Sequence, residues 1–229
     1  MYCRKKFSAM PQRNQKVVEN SSSRKSFSVK KGIKSRDRVR NRGEVFTELR
    51  EINNILDLTA DAHRNYKDQR ILEPACGNGN FLVVILERRL ADIKKAIKKK
   101  NQDDTEFAIL TALSTMYGVD IMPDNIKECH ERLESIIKKF YNERVPVKKR
   151  RPEFFDAVKE ILRTNVQLGD MLNGKEKVYF VEYTVPRDYY FVRNEYRLVD
   201  LELGILSSKK RIKPTHYLKI GGENANERK

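Results

Sequence analysis

The chain of 229 residues contains no tryptophan, three cysteines and three histidines. No apolar run approaches the roughly 20 residues that a membrane-spanning helix requires. Cys3, Cys76 and Cys129 are scattered without metal-ligand spacing, and His63, His130 and His216 do not group with them. A disulfide framework and a zinc site are therefore not expected, and the cysteine usage suits a reducing cytoplasm. The amino terminus has no signal-peptide apolar core, although its Arg-, Lys- and Ser-rich, acid-poor composition is also that of an organellar transit peptide.

Acidic residues are scarce where basic ones are dense. Residues 1–42 hold fourteen Lys or Arg against Glu19 and Asp37, so this arm carries +12 of the formal net charge of +16. Such an excess suits a polyanionic partner. With Ser21-Ser22-Ser23 and no sustained hydrophobic period, the arm reads as disordered. The rest of the chain, with ten Phe and ten Tyr in the whole sequence, is long enough to bury a core as one α/β domain.

Hydrophobic spacing predicts a helix from just after Thr47 to Leu58, with Thr47 as its N-cap, then a polar loop over His63 to Gln69 and a strand over Arg70 to Leu72. Helices follow over Phe81 to about Lys99 and Asp103 to Ser114, then a strand over Met116 to Val119. Pro123 opens a helix to about Tyr141 with Ile126, Cys129, Leu133, Ile136 and Ile137 on one face. A basic loop (Val145 to Pro152), a short helix (Phe154 to Leu162) and strands over Asn165 to Leu168 and Lys177 to Val185 complete the alternation. This order predicts a mostly parallel sheet with helices on both faces. A hairpin turning at Arg193-Asn194 is expected next, and a basic tail that frays from Lys209. The domain division is arm 1–42, α/β domain 43–206, and basic carboxyl-terminal tail 207–229.

Ile71-Leu72-Glu73-Pro74-Ala75-Cys76-Gly77-Asn78-Gly79-Asn80-Phe81-Leu82 carries the clearest chemistry. A short glycine motif alone also marks an ordinary strand–helix turn. Here it follows a strand, opens a helix, and lies among acids at three strand ends: Glu73, Asp120 and Asp170. Glycines admit a ligand close to the backbone, and the helix start offers unpaired N–H groups. An acid ending the second strand suits ribose hydroxyls, but Asp120 lies 41 residues past Gly79, against about 20 in a dinucleotide fold. No third glycine is present to pack a pyrophosphate, which favours a nucleoside cofactor without phosphates.

These segments resemble the S-adenosylmethionine-dependent DNA adenine methyltransferases of restriction–modification systems. Gly43-Glu44-Val45-Phe46-Thr47 looks like the family's Phe-Thr-Pro motif, Glu73 to Leu82 its cofactor loop, Tyr117-Gly118-Val119-Asp120-Ile121 its ribose motif, and Asn165 to Asp170 its third-strand motif. The likeness spans roughly residues 36–185. It implies a Rossmann-like methyltransferase fold, S-adenosylmethionine as cofactor and DNA as partner. Phe46 and Thr47 would close over the methionine end, while Glu73 and the backbone from Ala75 to Gly79 (Gly77 included) hold the amino-acid moiety. Asp120 would take the ribose hydroxyls, Ile121 lie on the adenine face, and Asp170 accept from the adenine amine. Three carboxylates suit a sulfonium cation.

Two departures stand out. Glu48 replaces the proline after Thr47. The family's Asn/Asp/Ser-Pro-Pro-aromatic tetrapeptide, which orients the target amine and stacks on the extruded base, occurs nowhere in the sequence; Glu182-Tyr183-Thr184-Val185-Pro186 stand in its place. Too little chain follows for a target-recognition domain. Catalytic residues are thus unassigned. Glu182 and Tyr183 are either a remodelled catalytic pair or a solvated strand edge. The expected function is a cytoplasmic methyltransferase-like protein that binds S-adenosylmethionine and DNA, with methyl transfer to an adenine amine implied by the resemblance, either by this chain alone or with a second methyltransferase or restriction subunit. The alternatives are an inactive nucleic-acid- or protein-binding module, and a methyltransferase of RNA or protein. Of the remaining features, Cys76 reads as a small buried filler and lysines 94–100 as a solvated face. The aromatics of 189–196 read as packing rather than base-stacking groups.

Overall fold

Helix α1, Leu49–Leu58, buries Ile52 and Leu56, one turn apart, and leaves its other faces to solvent. The computed structural model describes residues 47–58, 69–97, 101–205 and 207–222, together with Ser35 and Arg40. The basic arm apart from Ser35 and Arg40, Phe46, and most of the polar loop expected over His63 to Gln69 lie outside these residues. Because α1 begins at Leu49, the position preceding its first residue is Glu48, whose carbonyl accepts from Ile52 N–H at 3.0 Å; the cap therefore falls one residue after Thr47.

Three short strands, β1 (Ile71–Glu73), β2 (Met116–Asp120) and β3 (Val166–Leu168), form a parallel sheet in the order β1-β2-β3. Long helical crossovers, which parallel neighbours require, separate them. Between β1 and β2 run α2 (Asn80–Ala96) and α3 (Gln102–Ser114); between β2 and β3 run α4 (Pro123–Arg144), a 3-10 turn at Val147–Lys149, and α5 (Pro152–Asn165). The expected helical face of α4 is observed, since Ile126, Cys129, Leu133, Ile136 and Ile137 are all buried. On α5, Phe154, Ala157, Val158, Ile161 and Leu162 recur at three- and four-residue spacing and bury one stripe. Asn165, expected to open β3, instead ends α5 and donates to Ser114 O at 3.0 Å. Helix α2 stops at Ala96, short of the predicted Lys99.

Pairing in register puts Ile71, Glu73, Met116, Gly118 and Val166 on one face, against the helices. The opposite face carries Tyr117 and Val119, which pack with Val178, Phe180 and Leu198. Those residues belong to the start of a second sheet and to the short helix α6 (Leu198–Glu202). A strand and a single-turn helix thus cover much of the face where a layer of helices was expected. The second sheet is antiparallel, β4 (Tyr179–Arg187), β5 (Tyr190–Arg197) and β6 (Lys210–His216), in the order β4-β5-β6. The strand predicted over Lys177 to Val185 is therefore not a fourth member of the parallel sheet.

Two further expectations are corrected. The hairpin turns at Asp188-Tyr189, and Arg193 and Asn194 lie inside β5, opposite Tyr183 and Glu182. Tyr189 holds a left-handed φ of 67°, a conformation that sequence reading assigns to Gly or Asn. Arg193 and Asn194 pair on both sides, with β4 and with β6, and Phe191 and Val192 just before them are buried although the β5–β6 register is irregular between Phe191 and Arg193. From Lys210 to Gly222 the tail is ordered into the fold: β6 pairs with β5, and a 3-10 turn at Tyr217–Lys219 leads to buried Tyr217 and Ile220, while residues 223–229 lie outside the described residues.

That anchor centres on Glu106 of α3, a fully buried carboxylate. Tyr141 Oη and Tyr217 Oη each donate to it at 2.7 Å, Gln102 Nε2 donates at 2.7 Å, and Arg151 Nη1 lies 3.3 Å away. Burial, then the Glu106 hydrogen bond, pushes the Tyr217 phenol up. Around it Phe107, Tyr189, Phe191 and Tyr217 make ring contacts of 5.0–6.2 Å. These rings tie the second sheet to α3, the packing role expected for the 189–196 aromatics. Replacing Tyr217 with Phe removes one donor from a buried charge. Urea unfolding of Tyr217→Phe is expected to show a loss of about 1.5–3 kcal/mol, the range for hydrogen bonds to charged groups, and an unchanged midpoint would refute the anchoring role.

Candidate functional site

The carboxyl ends of β1, β2 and β3 meet at Asp120. Its Oδ2 accepts from Gly77 N–H at 3.0 Å, and its Oδ1 from Met122 N–H at 2.8 Å and Asn125 Nδ2 at 3.2 Å. Its own carbonyl accepts from Gly169 N–H at 3.0 Å, while Cys76 N–H donates to Val119 O at 2.9 Å. The glycine loop, the start of α4 and the exit of β3 are thereby joined through one residue. A carboxylate offers about four lone-pair positions, and three are taken. Gripping both hydroxyls of a ribose would require the Gly77 N–H to yield.

Gly77 and Gly79 have φ of 53° and 86°, where a Cβ is disfavoured. Gly79 is the N-cap of α2 and has no side chain to cap it. Space is the second constraint: a Cβ there would lie 2.4 Å from Cys129 Sγ. A Cβ at Gly118 would meet Leu82 Cδ1 at 2.8 Å and Cys76 Sγ at 3.1 Å. Cys76 is buried beneath the loop, as the filler reading expected.

Glu73 lies at the end of β1, and its Oε1 accepts from Ala75 N–H at 3.4 Å. Burial raises its carboxyl above the ordinary glutamate value, partly offset by that bond. Ile121 is exposed beside Asp120. Thr47 approaches the same loop, its carbonyl 3.5 Å from Asn80 Nδ2. Asp170 closes the turn after β3: Oδ1 accepts from Leu172 N–H at 2.8 Å and Asn173 N–H at 2.9 Å, and Oδ2 lies 3.4 Å from Asn173 Nδ2. The Asn173 and then the Leu172 backbone bonds hold its carboxyl below the usual range. Thr47, Glu73, Ala75, Gly77, Gly79 and Asp120 thus come together around one loop, whereas the Asp170 side chain is engaged in its own turn.

The residues that hold the loop from behind had no sequence signal apart from an i,i+4 Glu–Arg pair on α4. Arg132 Nη1 donates to Asn78 O at 2.7 Å and to Asn80 Oδ1 at 2.9 Å, and Asn78 Nδ2 donates to Glu128 Oε1 at 3.0 Å. Asn78, Asn80 and Arg132 are all buried, so the loop's asparagines serve the scaffold. Glu182 and Tyr183 face opposite sides of β4, as alternation demands: Tyr183 is buried with Oη 3.0 Å from Thr164 Oγ1, and Glu182 Oε1 accepts from Arg70 Nη2 at 2.6 Å.

The donor set fits a cationic, phosphate-free nucleoside better than a nucleotide. The Glu73 and Asp120 carboxylates lie beside the loop as acceptors, and the first turn of α2 offers N–H groups without intrahelical acceptors. Among the described residues there is no group of three or more His, Cys, Asp or Glu able to hold a metal ion, and no helix long and apolar enough to cross a membrane. No protein-family model, curated protein or solved structure matches the chain.

Gly79→Ala combines left-handed strain of about 1–2 kcal/mol with overpacking of about 1–3 kcal/mol. Denaturant unfolding should therefore show a loss of about 2–5 kcal/mol, the sum of those contributions. In the Cys129→Ala background, where Sγ is gone, the same substitution should cost less. Equal losses in both backgrounds would show that the loop is not packed on Cys129.

Proposed function

We propose that this chain is a methyltransferase-like protein that binds S-adenosylmethionine through its glycine loop and DNA through its basic arm, with an adenine amine as the methyl acceptor. One observation carries the reading: the Asp120 carboxylate closes on Gly77 N–H, with Glu73 and Thr47 against the same loop. A Rossmann-like methyltransferase fold is part of the proposal, supported by the β1-β2-β3 order and the helical crossovers.

The cofactor would supply an electrophilic methyl group. Glu73 would accept from its ammonium, the Ala75–Gly79 backbone and the start of α2 would face its carboxylate, and Asp120 would accept from the ribose. Ile121, exposed beside Asp120, offers an apolar contact for the adenine face. Asp170 could accept from the adenine amine only by sharing oxygens that now hold its turn. Phe46 lies outside the described residues, so its closing role rests on the sequence resemblance. With no catalytic tetrapeptide, the groups that orient the amine toward the cofactor at the strand ends are proposed to come from a second methyltransferase or restriction subunit in the cytoplasm. The opposite facing of Glu182 and Tyr183 weighs against their acting as a catalytic pair and favours, as the second reading, a module that keeps the cofactor site without catalysis.

Calorimetry with S-adenosylmethionine tests the cofactor site. Asp120→Ala should weaken binding by about 1–3 kcal/mol, the cost of leaving buried polar groups unpaired. Glu73 adds a pH signature. Its raised carboxyl protonates at higher pH than an ordinary glutamate, about 4.3, and an ammonium favours the ionised form. Affinity should thus be full above that raised value and fall as pH drops through it, and Glu73→Gln should flatten the profile. No binding by the intact chain would overturn the proposal.

The arm makes a separate prediction. Each neutralised phosphate contributes about 0.9 to the slope of log K against log salt. If half of the fourteen basic residues in 1–42 contact phosphates, gel-shift titrations should give a slope of about −6. Deleting the arm should remove most of it, and equal affinities with and without the arm would sink the assignment.

A further inference from the structure

On the face of the parallel sheet away from Glu73 and Gly118, a cavity of about 580 Å³ lies between β1, β4, β5 and α6. Ligand pockets commonly enclose about 300–1,000 Å³, so it is large enough for a nucleoside. Tyr117 and Phe180 form an aromatic wall, their centroids 5.3 Å apart and their planes at 77°. Leu72, Leu198 and Leu201 complete the apolar lining, and Leu72 is 42% exposed on the edge strand. None of this surface is used by the proposed cofactor site.

The polar groups narrow the class of ligand. Glu182 Oε1 is held by Arg70 at 2.6 Å, whereas Oε2 meets only a long contact, 3.4 Å from Tyr196 Oη. The second carboxylate of the lining, Glu202, pairs with Lys175 at 2.7 Å. A phosphate would find one cation, already paired, beside two carboxylates. A cation would find both carboxylates already neutralised, and a fatty acid would bring its carboxylate against Glu182. A neutral flat ring with one edge that donates hydrogen bonds meets none of these costs: its faces take the apolar walls and its donor takes the weakly engaged Oε2.

We propose that this cavity receives the amine-bearing ring of a nucleobase, with Glu182 Oε2 accepting from the exocyclic amine and Tyr117, Phe180 and the leucines enclosing the ring. The assignment of the ring to a nucleobase rests on the function proposed above. It gives Glu182 a binding role that does not require Tyr183. The ring arrives either as a free nucleoside or as a base extruded from DNA, and the two sources differ in their probes.

Calorimetry of the full chain with adenosine and purine riboside, under saturating S-adenosylhomocysteine, reads the free nucleoside. Purine riboside has no donor on that edge and should bind at least about tenfold more weakly, the lower end expected for a lost hydrogen bond to a charged acceptor. A duplex with one mismatched 2-aminopurine reads the extruded base through a gain in fluorescence on binding. Two variants locate the site: Glu182→Ala removes the acceptor, and Leu201→Trp fills the cavity from its wall. Circular dichroism melting confirms that each is folded. The expected result is ring binding in at least one arm that both variants abolish. Absence of binding in both arms, or binding that neither variant weakens, overturns the proposal. S-adenosylmethionine titration of the intact chain is read independently, so absence of cofactor binding beside Glu182-dependent ring binding refutes the cofactor reading alone, and the converse refutes this pocket alone.

Discussion

The carboxyl-terminal edge of the parallel sheet is organised by one side chain. Asp120 takes Gly77 N–H on one oxygen and the first residues of α4 on the other, and its backbone carbonyl takes Gly169 N–H. Strands of three and five residues have little ladder to hold them in place, so their exits depend on such cross-links. The glycine loop is consequently positioned before any ligand arrives. That arrangement also sets a condition on ligand binding: hydroxyls approaching Asp120 compete with an internal N–H, so the geometry favours ligands whose own acceptors can engage the released Gly77.

The loop is fixed from beneath as well. Cys129 fills the space that a side chain at Gly79 would occupy, and Arg132 and Glu128 of α4 bind the asparagines on either side of that glycine. Glycine at 79 therefore answers two demands at once, a left-handed φ and contact with a buried sulfur. At the other end of the chain, buried Glu106 plays a comparable part for the second sheet. Removing a charge from water is costly unless donors surround it, and Glu106 collects donors from α3, α4, the Arg151 segment and Tyr217 near the chain's end. A charged residue on a helix thereby fixes where a segment more than a hundred positions away must dock.

What could be read in the sequence follows the range of the interactions. Helices with a buried stripe, such as α4 and α5, and the strand–glycine–helix order around Gly77 are local patterns, and they appear where the spacing put them. Non-local choices were hidden. Tyr189 in a left-handed turn has no turn-like signature, so the hairpin was misplaced onto Arg193-Asn194. The charged run from Lys210 looks solvated until Tyr217 and Ile220 are seen to be buried, because the reward for ordering it comes from Glu106 and α5. The site shows the same division. Glu73, Gly77, Gly79 and Asp120 were legible as a motif, whereas Arg132 and Glu128, which hold that motif, come from a helix about fifty residues away.

Charge separates the tasks that the proposed function combines. The excess of +12 sits in residues 1–42, and the remaining 187 residues carry +4. The acids Glu73, Asp120 and Asp170 stand at the strand ends, with the Arg132 guanidinium beneath the loop, and carboxylates attract a sulfonium or an ammonium and repel a phosphate. Behind the sheet, the cavity at Glu182 has its ionic groups paired. A polyanion drawn in by the arm would thus find no favourable seat for its backbone in either site, and would be held by phosphate contacts elsewhere while presenting a neutral ring. Phosphate contacts position and ring contacts discriminate, and the proposed function assigns the two to different residues, the basic arm and the cavity at Glu182.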